Sequence, residues 1–355
     1  MSEPERNMKR RSAGRIEVAR ALWYVRPGVA ELRTAPLPPL EPGKVLVRML
    51  YSGVSRGTER LVLGGLVPEH ERQRMRAPLQ EGELPFPVKY GYCAVGTVEA
   101  GPKELVGRAV FCLHPHQDVF QVPVGMAVPL PDGLSPRRST LAANMETALN
   151  ALWDSGAGPA DRVVVVGAGI VGLLVAYLAA RLPGSQVTVI DPAEARRPIV
   201  EAFGACFAAP ARAPAPGGRL PAGESPGASK DWGAADVVFH TSASEAGLAT
   251  AIDAAGMEAT IVELSWYGDK RIVVPLGGAF HSQRLRLVSS QVGQVSPGRR
   301  PRWDYRRRID AALRLLGDDR LDALLTTEIA FADAPGRLPG LLETDAPGLA
   351  PVIRY

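Results

Sequence analysis

The stretch Val163-Val164-Val165-Val166-Gly167-Ala168-Gly169-Ile170-Val171-Gly172 constrains this chain more than any other. Four β-branched residues in a row read as a strand buried on both faces, the habit of parallel sheets. The next six residues fit G-x-G-x-x-G, and Leu173 to Arg181 continues as an apolar helix. Gly167 permits the tight turn, Gly169 lets backbone approach a pyrophosphate, and Gly172 lets helix pack on strand. The phosphate would sit at the helix N-terminus, on the free N–H groups around Ile170 and Val171, where the dipole favours an anion. A second apolar run, Gln186 to Ile190, ends at Asp191. An acid roughly 20 residues beyond the glycines can accept hydrogen bonds from an adenosine ribose. The unit predicts a dinucleotide, although the same order of strand, turn and helix also serves S-adenosylmethionine and flavin enzymes.

At 355 residues the chain exceeds one ordinary core, so two domains are expected. The 46% hydrophobic and 22% charged residues are those of a globular protein, and the net charge of +4 is small. The densest basic patches, Lys9-Arg10-Arg11 and Arg299 to Arg308, read as solvated surface and do not interleave with aromatics. Nucleic-acid binding therefore has no support. Cys93, Cys112 and Cys206 are too scattered for a disulfide framework or a C-x-x-C metal site. No apolar run reaches the length of a membrane span, and the polar N-terminus does not resemble a signal sequence. A cytoplasmic location is expected.

Residues 1–16 read as a disordered lead. From Ala19 to Pro129 the pattern is β in character, with strands at Val45 to Leu50 and Ala94 to Glu99. Ser139 to Ser155 is helical and leads into the glycine unit. Beyond it come a helix at Ala195 to Phe203, a strand at Asp236 to His240 and a helix at Leu248 to Ala255. Strands at Thr260 to Leu264 and Leu285 to Val288 follow. The Pro-, Ala- and Gly-rich segment Ala208 to Ser229 lacks a periodic apolar face and reads as a surface loop. An amphipathic helix at Tyr305 to Leu316 and an apolar run at Ala350 to Ile353 end the chain. A β-rich first part, a nucleotide domain and a short return imply a discontinuous catalytic domain, with the active site in the cleft.

This arrangement resembles the medium-chain dehydrogenase/reductase superfamily over nearly all of residues 19–355. The resemblance implies an α/β protein. A GroES-like β-rich catalytic domain (17–152, completed by 292–355) would join a Rossmann doubly wound parallel-sheet domain (153–291). Ser52-Gly53-Val54-Ser55-Arg56-Gly57-Thr58-Glu59 resembles the first catalytic loop, Tyr90 to Gly96 the second, and Ala143 to Ala148 the helix start that supplies a third zinc ligand. The three ligand positions then hold Ser55, Tyr92 and Ala143, with Cys93 at a neighbouring glutamate position. That is not a zinc ligand set, which wants Cys, His or carboxylate. The four-cysteine structural-zinc lobe is missing too, so the expectation is a zinc-free member. Cys112, His114 and His116 form the one competing metal motif. Strand-like flanks would put both histidines on one face, but surface or cleft imidazoles are the preferred reading.

Without metal, the substrate oxygen needs another partner as hydride arrives or leaves. The hydroxyls of Tyr92, Ser55 and Thr58 are the candidates. Tyr92 stands first as acid/base, a phenol whose ordinary pKa near 10 a nearby cation would lower. Glu59 reads as an exposed helix residue, with a supporting acid as the alternative. By the resemblance, Arg56 reaches the cofactor pyrophosphate and Thr147 packs on the nicotinamide ring. Asp191 favours NAD by repelling a 2′-phosphate, while Arg196 and Arg197 leave NADP open. The Ser-Gly-Val-Ser-Arg-Gly-Thr-Glu loop is also similar to that of bacteriochlorophyllide hydroxyethyl dehydrogenases, which oxidise a secondary alcohol on a tetrapyrrole. Trp266 and Trp303 are candidates to line an apolar pocket, or simply core.

The sequence thus leads to an NAD(P)-dependent, zinc-independent oxidoreductase interconverting a secondary alcohol and a ketone on a small or medium apolar substrate. A reductase of enones or quinones is the alternative within enzymes. A non-catalytic dinucleotide-binding sensor is the alternative outside them. A methyltransferase fits the β-rich first part poorly. The resemblance also implies a homodimer as one arrangement, through an edge strand near Leu285 to Val288.

Overall fold

The computed structural model describes residues 18–210 and 234–355. The disordered lead, the first basic patch and most of the surface loop expected at Ala208 to Ser229 lie outside the described residues. In the first half, β1 (Val18–Arg26) and β2 (Val29–Pro36) form a hairpin, and β3 (Lys44–Gly53) starts a second sheet. The short strands β4 (Glu81–Gly82) and β5 (Val88–Lys89) complete a four-stranded sheet of order β2-β1-β5-β4. β6 (Ala94–Ala100), β7 (Ala109–Cys112) and β9 (Val128–Pro129) follow β3 in the second sheet, while β8 (Val119–Pro123) pairs with β3 separately. The first half is not purely β, because helix α1 (Arg56–Leu63) interrupts it directly after β3. Its buried residues Glu59, Val62 and Leu63 recur at the three- and four-residue spacing of one helix face.

Two helices, α2 (Pro136–Ser139) and α3 (Ala142–Ser155), lead into a parallel sheet. Gly156, in the left-handed region at φ +73°, ends α3, a conformation that suits a residue without Cβ. The sheet holds β10 (Arg162–Val166), β11 (Gln186–Ile190), β12 (Cys206–Ala208), β13 (Ala235–His240), β14 (Ala255–Glu263) and β15 (Arg286–Ser289). Its order is β12-β11-β10-β13-β14-β15, all parallel, which is the Rossmann order. Both faces are covered, as the valine run requires. Val163 and Val165 belong to a core with α3 and α4 (Ile170–Ala179), whereas Val164 and Val166 join Leu248, Ala251 and Ile252 of α6. Here α5 is Arg197–Ala202 and α6 is Glu245–Ala254, three residues earlier than the apolar pattern alone suggests. The early start follows from Ser244, whose hydroxyl accepts the Gly247 N–H and caps the helix.

Past the sheet come α7 (Tyr305–Leu315), β16 (Thr327–Ala330), α8 (Ala334–Leu341) and β17 (Pro351–Arg354). β17 pairs antiparallel with β3, and β16 parallel with β17, so the chain's end rejoins the sheet begun at residue 44. The basic patch around α7 is not simply solvated surface. Arg308 is almost wholly buried and donates to Glu146 (2.9 Å), Asn150 (2.7 Å) and the carbonyls of Val292 and Gln294. Arg299 lies over Trp153, and Trp153 in turn packs on Trp303 at 4.7 Å, so Trp303 is part of the core.

Candidate active site

The crevice at the carboxyl ends of β10 and β13 lies where the strand order reverses, the usual ligand position in open α/β sheets. There Gly167 adopts φ +109°, and a Cβ on Gly172 would sit 2.0 Å from the Gly167 carbonyl. Helix and turn can approach this closely only because residue 172 has no Cβ. Gly169 is exposed with open space around it, and Ile170 and Val171 are half-buried at the first turn of α4. The N–H groups there have no intrahelical acceptor, so the turn fits an anionic pyrophosphate. Asp191 ends β11 as expected. One carboxylate oxygen accepts the Ala168 N–H (2.7 Å) and the other the Ala193 N–H (2.8 Å), so it also clamps the glycine turn.

The structure brings Tyr92, Ser55 and Thr58 together. Tyr92 is half-buried and packs against both the core of the parallel sheet and the core around α1 and α8. Burial pushes its phenol well above the ordinary range, and Cys93 and Glu59 add to this. Hydrogen bonds with the Ser55 and Thr58 hydroxyls act in the opposite direction but do not win. Among the described residues no cation acts to lower this phenol. Cys93 is buried and held as a thiol, by burial first and then by Glu59 and Glu146.

Glu59 is not the exposed helix residue expected: its side chain is buried. Its Oε1 accepts the Ser55 N–H (2.8 Å), while Oε2 accepts the Tyr24 hydroxyl (2.6 Å) and meets His116 Nε2 (3.0 Å). His116 Nδ1 then contacts Ser52 Oγ (2.7 Å), which contacts the Tyr355 hydroxyl (2.9 Å). This polar chain lies beneath Ser55 and the first turn of α1, which carries Thr58. It was missed in the sequence, although Glu59 shares a helix face with Val62 and Leu63, and that spacing signals burial.

Arg56 and Arg196 also come together, on a shared acceptor. Arg56 donates to the carbonyls of Glu343 (3.1 Å), Ala346 (2.8 Å) and Gly348 (3.0 Å), and Arg196 to the same Gly348 carbonyl (2.6 Å). Burial, then Arg196 and Arg60, lower the Arg56 pKa. Three bonds leave two of the five guanidinium N–H groups of Arg56 uncommitted. Thr147 is half-buried while every other residue from Leu141 to Ala151 is buried, so it is the open point of that stretch. Its hydroxyl bonds back to the Ala143 carbonyl (2.9 Å), which leaves its methyl as the contact surface.

The histidines of the C-x-H-x-H motif are buried rather than surface imidazoles. Cys112 is in the core, its thiol pushed up to about 12 by burial. His114 stacks on Phe120 at 3.8 Å and bonds the Pro115 carbonyl, while His116 serves Glu59 and Ser52. Among the described residues no group of three or more His, Cys, Asp or Glu could hold a metal ion. Ser55, Tyr92 and Ala143 do not offer zinc the thiolate, imidazole or carboxylate donors it takes.

This pairing of a β-rich, GroES-like half with a Rossmann sheet is the alcohol dehydrogenase fold. No family model matches the chain. Among solved structures it is similar to 2R,3R-butanediol dehydrogenase from Bacillus subtilis, with TM-score 0.73 and 19% identity over 95% of this chain and 99% of that one. An Escherichia coli alcohol dehydrogenase in complex with NADH gives TM-score 0.72 and 16% identity over 95% and 99%. Staphylococcus aureus TarJ in complex with NADPH gives 0.68 and 17% over 96% and 99%. Among the described residues no helix is long and apolar enough to cross a membrane.

Proposed function

We propose that the protein is an NAD(P)-dependent oxidoreductase that interconverts a secondary alcohol and a ketone on a small or medium apolar substrate without zinc. The observation that carries this reading is the gathering of the Tyr92, Ser55 and Thr58 hydroxyls in a chain that also carries a glycine turn fit for a dinucleotide. The similar structures support it: they include butanediol, alcohol and galactitol-1-phosphate dehydrogenases, and two of the similar structures hold NADH or NADPH.

When bound, the nicotinamide would supply or accept hydride. Gly167, Gly169, Ile170, Val171 and Gly172 would hold the pyrophosphate, with Asp191 toward the adenosine ribose and Thr147 against the ring. Arg56 and Arg196 stand at the cleft with donors to spare. Asp191 makes NAD the preferred cofactor, because its carboxylate repels a second phosphate. Tyr92, kept neutral by burial, gives its proton to the substrate oxygen as the carbonyl is reduced. The Ser55 and Thr58 hydroxyls bond the phenolate that results and so lower the cost of forming it. An alkoxide is far more basic than a phenolate, so the transfer runs downhill even from a raised pKa.

The test is Tyr92→Phe, assayed by ketone reduction and by nicotinamide fluorescence titration. Turnover should fall on the order of 10²- to 10⁴-fold, the usual worth of a positioned acid, with dinucleotide affinity unchanged. Full activity in the variant, or stoichiometric zinc in active protein, would overturn the assignment. Reduction of the C=C bond of an enone instead of its carbonyl would move the protein to the enone reductases. Dinucleotide binding with no turnover of any substrate would make it a sensor.

A further inference from the structure

The carboxyl ends of β13 and β14 hold a second polar cluster, set against the glycine turn: a Cβ on Gly167 would fall 2.9 Å from the Ser242 backbone N. In the register of these strands His240 pairs with Glu263. His240 is fully buried, and its Nδ1 lies 2.7 Å from Glu263 Oε2. Its Nε2 lies 2.7 Å from the hydroxyl of Ser242, a residue that is exposed. Glu263 is fixed by two more donors, the Ser265 N–H on Oε1 (2.7 Å) and the Tyr267 hydroxyl on Oε2 (3.1 Å). Burial opposes its ionisation, but hydrogen bonds from His240 and Ser265 outweigh burial and hold the carboxyl below its usual range.

The tautomer follows from these contacts. A carboxylate only accepts, so the imidazole proton must sit on Nδ1. Nε2 is then a bare acceptor, and the Ser242 hydroxyl donates to it. The backbone completes the arrangement. Ser242 sits on the turn from a strand into a helix, Ala243 adopts φ +52°, and α6 starts at Glu245. A side chain at Gly247 would fall 2.0 Å from Ser242 Oγ and 2.8 Å from His240 Nε2, so the helix start is pressed against the pair. Ser244 Oγ takes the Gly247 N–H, which leaves the N–H groups of Glu245 and Ala246 without an intrahelical acceptor. A serine on a sharp strand-to-helix turn, a base oriented by an acid and free helix N–H groups are the parts of an acyl-transfer site.

We propose that Ser242, His240 and Glu263 form a nucleophilic relay that cleaves small, uncharged carboxylic esters. Ser242 Oγ bonds to the ester carbonyl carbon as its proton passes to His240 Nε2. The carbon–oxygen bond to the leaving group then breaks, and the departing alcohol takes that proton. Water attacks the acyl-serine, gives a proton to His240, and the free acid leaves as that proton returns to Ser242 Oγ. Nothing is oxidised or reduced. Glu245 and Glu263 flank the serine, and their negative charge selects against anionic esters. The relay's chemistry uses no nicotinamide, but Ser242 lies against the glycine turn, so a bound dinucleotide would cover it and hydrolysis is read in the absence of nucleotide.

The experiment is p-nitrophenyl acetate hydrolysis by the full chain, with peptide mapping of the acetylated residue and a nicotinamide titration on the same sample. Acetylation should map to Ser242. Ser242→Ala, at an exposed position, should retain its thermal melt and lose hydrolysis on the order of 10³-fold or more. Glu263→Gln should also lose hydrolysis, by no more than Ser242→Ala does, since a carboxamide no longer enforces the tautomer. Label on other residues only, or hydrolysis unchanged in Ser242→Ala, overturns the proposal.

Discussion

Arg308 offers a test of how the cleft's central helix is held. Its guanidinium and the Glu146 carboxylate are both buried, 2.9 Å apart, and tie α7 to α3. Arg308→Met removes the cation and leaves four acceptors. The carbonyls of Val292 and Gln294 recover water, because Gln294 is exposed and Val292 half-buried. Asn150 Oδ1 keeps the Ser296 N–H at 3.1 Å. The cost therefore falls on Glu146, whose pKa burial already raises against the opposing pull of Arg308. Removing one partner of such a pair costs about 3–5 kcal/mol. The sign of the pH dependence follows. Without Arg308 the folded-state pKa rises further above the unfolded value, so the penalty is absent below the unfolded pKa and grows as pH rises toward the folded one. Urea unfolding at about pH 7 and about pH 5 should show a large loss at the first and a smaller one at the second. Arg308→Met combined with Glu146→Leu should restore most of the stability, since an apolar pair of similar volume replaces a buried ion pair at little cost. A single-variant loss below about 1 kcal/mol, an equal loss at both pH values, or a double variant no better than the single would refute this reasoning.

Gly172→Ala should abolish dinucleotide binding by fluorescence titration and destabilise the protein by about 1–3 kcal/mol. Its Cβ has nowhere to go 2.0 Å from the Gly167 carbonyl, and an unimpaired titration would mean that turn and helix can separate. Asp191→Ser should lower affinity for both cofactors, because the Ala168 clamp is lost, yet raise the NADPH/NADH affinity ratio; an unchanged ratio removes Asp191 from the ribose.

The glycine unit was legible because its constraint is local: the turn needs residues without Cβ wherever the rest of the chain goes. The valine run and Asp191 were legible for the same reason. Glu59 was not, since its partners Tyr24 and His116 lie 35 and 57 residues away and only the folded sheets bring them to one helix face. The burial of the two histidines was not legible either, because their partners Phe120 and Glu59 meet them only in the folded sheets. Arg308 read as surface because it stands in a run of arginines. The i, i+4 spacing of Glu146 and Asn150, which makes a buried polar stripe on α3, was the available signal. His240 had one as well: a titratable residue ending an apolar strand, matched by Glu263 ending another, at the sheet edge where ligands bind.

On the proposed reading, what replaced the metal ligands decides which way the chemistry leans. A zinc ion would stabilise an alkoxide by its charge and so serve alcohol oxidation and ketone reduction alike. The three hydroxyls here are neutral, and the buried carboxylate of Glu59 is already engaged through both oxygens, by the Ser55 N–H, the Tyr24 hydroxyl and His116. It cannot readily accept a substrate proton, and burial keeps Tyr92 from being a phenolate that could. A site of neutral donors polarises a carbonyl and hands it a proton. It removes a proton from an alcohol only once the pH approaches the raised phenol pKa. Alcohol oxidation should therefore be slow at neutral pH and climb in alkali, while ketone reduction should not need alkali.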